Sequence, residues 1–188
     1  MRREKKKIII GLAGIIASGK DTVADYLVKK YNAEKVSFSE PLRDILNRLY
    51  LPIDRAHLSG LAQILIDRFG PDVLSKTIAK GIEQSEKEIF VLPNIRRKED
   101  YSALEKFNGF VLVGLKTDKR KCYERLLERG QNKDDKTKTW AEFEKDLQLS
   151  TEIKIPELVK KAKIVLDNNR PVENLHIQID SMMAMLQI

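Results

Sequence analysis

Gly14-Ile15-Ile16-Ala17-Ser18-Gly19-Lys20-Asp21-Thr22 lies between an apolar run and an amphipathic segment, and its reading decides the fold. Glycine, four residues, then Gly-Lys and a polar pair is the spacing of a phosphate-binding loop. Gly14 and Gly19 can take backbone angles closed to other residues, so successive N–H groups turn inward as a nest for phosphate oxygens. Lys20 brings a mobile cation to the β- and γ-phosphates, and the positive end of the following helix supports the same charge. The flanks agree with this reading. Lys7-Ile8-Ile9-Ile10-Gly11-Leu12-Ala13 reads as a buried strand, while Val23, Ala24, Tyr26, Leu27 and Tyr31 recur at helical spacing. A merely structural glycine-rich turn rarely has both a strand before it and a helix after it.

One position departs from the pattern. Asp21 stands where a hydroxyl normally touches magnesium, and Thr22 follows it. Asp21 could hold the metal through water, or Thr22 could supply the hydroxyl.

With 188 residues the chain is long enough for one domain, 1–188, with a sizeable core. No apolar run reaches the ~20 residues a membrane span needs. The basic start Arg2-Arg3-Glu4-Lys5-Lys6-Lys7 leads into a strand rather than a signal-peptide core, so a cytoplasmic location is expected. A single cysteine, Cys122, excludes an intrachain disulfide and a cysteine-rich zinc site. The net charge of +7 suits a polyanionic ligand, and nucleotides qualify as well as nucleic acids. Scattered basic residues and a 6% aromatic share leave no stacking platform, which argues against nucleic acid as the partner.

Along the chain, Lys35-Val36-Ser37-Phe38 reads as a second strand, and Ser39 can cap a helix carrying Leu42, Ile45, Leu46 and Leu49. Leu58, Leu61, Ala62, Leu65 and Phe69 define the next helix, and Val73, Leu74, Ile78 and Ile82 another. Together these form a cover, about residues 40–86, over an acceptor site. Glu88-Ile89-Phe90-Val91-Leu92 is the third strand, and the turn after it aims Arg96 or Arg97 into the cleft beyond the carboxyl ends of the strands. Lys98 to Phe107 reads as a helix and Phe110 to Leu115 as the fourth strand.

Asp118 caps a helix in which Lys121, Arg125 and Arg129 follow i, i+4 spacing. The polar stretch Arg129 to Lys138 leads to a capping box, Thr139 with Glu142, and a helix with Trp140, Phe143 and Leu147. Helix, polar loop and helix, about residues 117–150, have the pattern of a mobile lid. Asp134 and Asp135 are expected to be solvated there, and Trp140 and Phe143 to anchor the lid helix. Lys163-Ile164-Val165-Leu166 is the fifth strand, and the last helix packs on Met182, Met183 and Met185 among others. His57 and His176 lack partners for metal or base duty and read as ordinary helix residues. Five strands alternating with helices predict an α/β fold: three layers, with helices on both faces of a five-stranded parallel sheet.

Gly19-Lys20-Asp21-Thr22 followed by Val36-Ser37-Phe38-Ser39-Glu40-Pro41-Leu42-Arg43 resembles the P-loop nucleoside monophosphate kinase superfamily, nearest to its deoxynucleoside monophosphate kinase and dephospho-CoA kinase-like branches. Leu65 to Gly70, the turn Ile95-Arg96-Arg97-Lys98-Glu99 and Ile164 to Asn168 extend the likeness over nearly the whole chain. The resemblance implies an ATP-dependent, magnesium-assisted phosphotransferase acting on a (deoxy)nucleoside monophosphate. Dephospho-CoA and a catalytically weak ATP-binding module are the alternatives, and a homodimer is compatible with either. By the same resemblance the loop Gly14 to Thr22 and Asn168 would bind ATP. Ser37, Arg43 and Arg96 would hold the acceptor, and Lys20, Arg96, Arg125 and Arg129 would act on the transferring group. Asn94 stands where the family turn begins with Asp, leaving Asp21 or Glu40 to replace that acid.

Overall fold

Continuous apolar runs form strands that are buried on both faces, and here they build the centre of the molecule. The computed structural model describes residues 7–130, 135–149 and 152–186. Arg2 to Lys6 and the loop residues Gln131 to Asp134 of the sequence reading lie outside these. The strands are β1 (Ile8–Ala13), β2 (Glu34–Lys35), β3 (Ile89–Leu92), β4 (Phe110–Lys116) and β5 (Ile164–Asp167). They pair in parallel in the order β2-β3-β1-β4-β5. The helices are α1 (Lys20–Tyr31), α2 (Glu40–Arg48), α3 (Arg55–Phe69), α4 (Val73–Gln84), α5 (Lys119–Arg129), α6 (Trp140–Asp146), α7 (Ile155–Lys161) and α8 (Val172–Leu186).

Alternation along β1 sends successive side chains to opposite sides. Ile8, Ile10 and Leu12 meet Val23 and Leu27 of α1 and Leu175, Ile179 and Met182 of α8. Ile9 and Ala13 meet Ile78 and Ile82 of α4 and Leu158 of α7. The result is three layers, as expected. Order reverses at β1, whose neighbours β3 and β4 lead away in opposite directions, and ligands of open α/β sheets bind at such a switch point.

Several local expectations are corrected. Residues Lys98 to Phe107 form two short 3₁₀ turns, Lys98–Asp100 and Leu104–Lys106, instead of a helix. The Asp100 carboxylate accepts from the backbone N–H groups of Arg96 at 2.9 Å and Arg97 at 3.2 Å, which bends the chain back before a helix can propagate. The second strand ends at Lys35, and the Ser37 and Ser39 hydroxyls bond to each other at 2.9 Å, so Ser39 makes no side-chain cap. Asp135 is buried rather than solvated, in a turn that packs back on α5. Met182 and Met183 are core residues, whereas Met185 is exposed. Among the described residues no helix is long and apolar enough to cross a membrane.

Candidate active site

β1 ends at Ala13 and the chain turns at once into the phosphate-binding loop. Gly14 is required by close approach, because a Cβ there would lie 2.5 Å from Ser18 Oγ and 3.1 Å from Leu115 Cβ. Gly19 is required twice over: its φ is +100°, and a Cβ would fall 2.1 Å from Asn168 Nδ2. Lys20 begins α1 directly after Gly19, which has no side chain with which to cap the first N–H groups. Those donors face the loop, where an anion can take them. Ile15, Ile16 and Ala17 at the loop's apex pack against Cys122, Leu126, Phe143 and Leu147, which fastens the loop to α5 and α6.

Lys20 Nζ donates to the carbonyls of Gly14 at 2.7 Å and Ile15 at 2.9 Å. Burial pulls its pKa down to about 8; Arg96 works in the same direction, and Glu152 and Asp21 oppose it. The loop opens on a cleft of about 1050 Å³. Arg96 enters from the turn after β3, Arg125 and Arg129 from α5, and Asp146 and Glu152 from α6 and the segment beyond it. Arg96 Nε lies 3.5 Å from Glu152 Oε1. Burial raises the Glu152 carboxyl above its ordinary range, with Asp146 adding to the effect and Arg96 and Lys20 opposing it. Arg125 donates through Nη2 to the Asn168 carbonyl at 3.1 Å, while its Nη1 is buried with no partner among the described residues. A buried guanidinium nitrogen without an acceptor is costly unless a ligand satisfies it.

The family model described as AAA domain matches residues 10–149, most of the chain. The chain belongs to the AAA domain family. This AAA domain protein is 26% identical to a UPF0200 protein of Methanocaldococcus jannaschii, over 94% of this chain and 89% of that one. It is 28% identical to a dephospho-CoA kinase of Fusobacterium nucleatum, over 92% of this chain and 95% of that one. Among solved structures, a shikimate kinase from Bacteroides thetaiotaomicron matches with a TM-score of 0.56 at 13% identity, covering 96% of this chain and 99% of the other. That last likeness is one of fold. Family and fold together make the chain a P-loop protein whose architecture is shared with kinases.

The cleft of this AAA domain protein gathers Ile16 to Thr22, Asn94, Arg96, Arg125, Arg129 and Asn168. Asp21 is exposed there and carries Lys35 at 3.4 Å. Among the described residues Ser37, Arg43 and Glu40 do not line it, and Arg43 sits on an exposed part of α2. Arg97 turns away, its Nε donating to Asp100 Oδ1 at 3.0 Å. Asn168 is buried under the loop, where its Nδ2 donates to the Ser18 carbonyl at 2.9 Å. Glu152, Asp146, Lys138 and Arg55 also line the cleft, and sequence reading did not select them. Lys138 and Asp146 form an ion pair. The capping box of Thr139 and Glu142 did point to α6, yet nothing in the polar stretch beyond α6 distinguishes Glu152 from its neighbours.

Proposed function

We propose that this protein is an ATP-dependent phosphotransferase that passes the γ-phosphate to a small acceptor held in the same cleft. The observation that carries this reading is the convergence of Lys20, Arg96 and Arg125 with Arg129, from α1, the β3 turn and α5, on the open mouth of the phosphate-binding loop. Phosphoryl transfer asks mainly for an in-line acceptor and for neutralisation of the equatorial oxygens, which convergent cations supply. At about 1050 Å³ the cleft lies at the upper limit of roughly 300–1000 Å³ for one small-molecule site, which leaves room for donor and acceptor together. Helices α5 and α6 would serve as a lid, a reading supported by Arg125 and Arg129 of α5 lining the cleft.

Magnesium fits as the partner of ATP. Asp21 and Thr22 offer hard oxygen donors at the start of α1, on the wall of the cleft. Among the described residues no three His, Cys, Asp or Glu side chains are grouped to hold a metal, so the ion would lean on the nucleotide's phosphates. Held there by Asp21 or Thr22, it would supply positive charge to offset that of the phosphates.

Two acceptor classes have support. A (deoxy)nucleoside monophosphate is supported by the resemblance of the chain and by Arg55 and Arg96, two cations that line the cleft. A hydroxyl acceptor is supported by the relative named a dephospho-CoA kinase, 28% identical. The competing reading is an ATP-binding module without turnover, suggested by Asn94. Release of ADP that depends on an added acceptor supports the kinase, whereas ATP binding without such release supports the module.

A further inference from the structure

A carboxylate beside bound phosphates repels them, so one sheltered in a phosphate cleft needs a reason to be there. Four acidic side chains line this cleft among the described residues. Asp21 and Glu128 are exposed, and Asp146 is tied to Lys138. Glu152 differs from them, its side chain only 12% exposed. Its backbone N–H donates to the Leu149 carbonyl at 2.9 Å, which holds it in the turn after α6. The charged groups around it are Arg96 from the β3 turn, Lys20 from α1 and Asp146 from α6. It therefore lines the cleft 3.5 Å from Arg96 and within electrostatic reach of Lys20.

We propose that Glu152 is a catalytic residue, the base that takes the proton from a hydroxyl acceptor, and that the substrate class is therefore an alcohol rather than a phosphate monoester. This rests on the phosphotransferase reading above. In the step, the acceptor O–H bond breaks and its proton passes to a Glu152 oxygen. The acceptor oxygen bonds to the γ-phosphorus, and the bond from that phosphorus to the bridging oxygen breaks, its electron pair leaving with ADP.

Two observations and one chemical argument support this assignment. Asn94, at the position where an acid was expected, carries an amide that cannot accept the proton at neutral pH. A monoester is already ionised, has no proton to give, and would have to displace the carboxylate from Arg96. Burial also moves the Glu152 carboxyl toward neutral pH, the direction that makes a carboxylate a better-matched base.

The test compares two acceptor sets in an ADP-release assay with ATP and magnesium: dephospho-CoA, shikimate and free nucleosides against the matching nucleoside monophosphates. Wild type, Glu152→Gln and Glu152→Asp are assayed alongside ATP titrations and melting curves. The expected result is stimulation by a hydroxyl compound, with kcat lowered ~10²–10⁴-fold in Glu152→Gln while ATP affinity is kept. The acidic limb of the kcat/KM profile should vanish in Glu152→Gln and survive in Glu152→Asp. An unchanged kcat and profile in Glu152→Gln overturns the proposal, as does stimulation by monophosphates alone, and both leave the phosphotransferase standing. Loss of ATP binding in both variants assigns the carboxylate to folding and overturns it too. If no acceptor in either set stimulates a wild type that binds ATP, the proposal and the phosphotransferase reading fail together.

Discussion

The side-chain amide of Asn168 donates to the backbone carbonyl of Ser18 at 2.9 Å, so the end of β5 braces the phosphate-binding loop from beneath. Thr117 Oγ1, just past β4, donates to the same oxygen at 2.9 Å. The loop is thus held in shape by the ends of two strands. Replacing Asn168 with Ala removes one of the two bonds and should cost ~0.5–1.5 kcal/mol. In calorimetry that is a fall of about 2–4 °C in Tm for each kcal/mol, with weaker ATP binding. Gly19→Ala should cost more, since a Cβ meets both a φ of +100° and the Asn168 amide.

Lys20 predicts a pH dependence for nucleotide binding. Its pKa of about 8 lies below the ordinary lysine value of 10.5 because its charge is buried. Bound phosphates favour the charged form and raise that pKa, so the complex holds a proton that the free protein has lost above about pH 8. ATP affinity should be level at neutral pH and fall as pH rises through 8, with proton uptake on binding visible in calorimetry across buffers of different ionisation enthalpy. The unliganded fold behaves oppositely. Between about pH 8 and 10.5 the unfolded chain binds more protons at this lysine, so its contribution to stability rises with pH there.

Arg96→Ala separates a role on the transferring or accepting group from a role on the donor. Turnover that depends on acceptor should fall by ~10²-fold or more with ATP affinity largely kept. Equal loss of both would place Arg96 on ATP or on the fold instead.

Phe143 is fully buried among Cys122, Leu126, Leu147, Tyr123 and Trp140, the cluster that joins the loop's apex to α5 and α6. Truncation to Ala should cost ~3–5 kcal/mol. Trp140, the only tryptophan of the chain, packs on Phe143 with ring centroids 5.5 Å apart, so its fluorescence reads this region directly. An early Trp140 transition, ahead of loss of the sheet by circular dichroism, is the expected outcome.

Strands β1, β3 and β4 were legible because burial on both faces leaves an unbroken apolar run, and their observed bounds lie within a residue of the sequence reading. The phosphate-binding loop was legible because its parts are contiguous. The place at the end of β3 pointed to Arg96 or Arg97, and the family resemblance chose Arg96. What escaped depends on contacts that periodicity does not encode. The Asp100 carboxylate turned an expected helix into 3₁₀ turns, and β2 ends at Lys35, short of the expected Phe38. Glu152 becomes meaningful only once folding brings it to Arg96.

Acceptor-dependent transfer itself tests the central claim most directly. ATP, magnesium and the acceptor sets named above would be incubated with wild type and with Lys20→Ala, and the products weighed by mass spectrometry against a mixture lacking acceptor. The account predicts one acceptor made heavier by a single phosphoryl group, in step with ADP, by wild type and not by Lys20→Ala. ATP bound by the wild type with every acceptor recovered unchanged would contradict it.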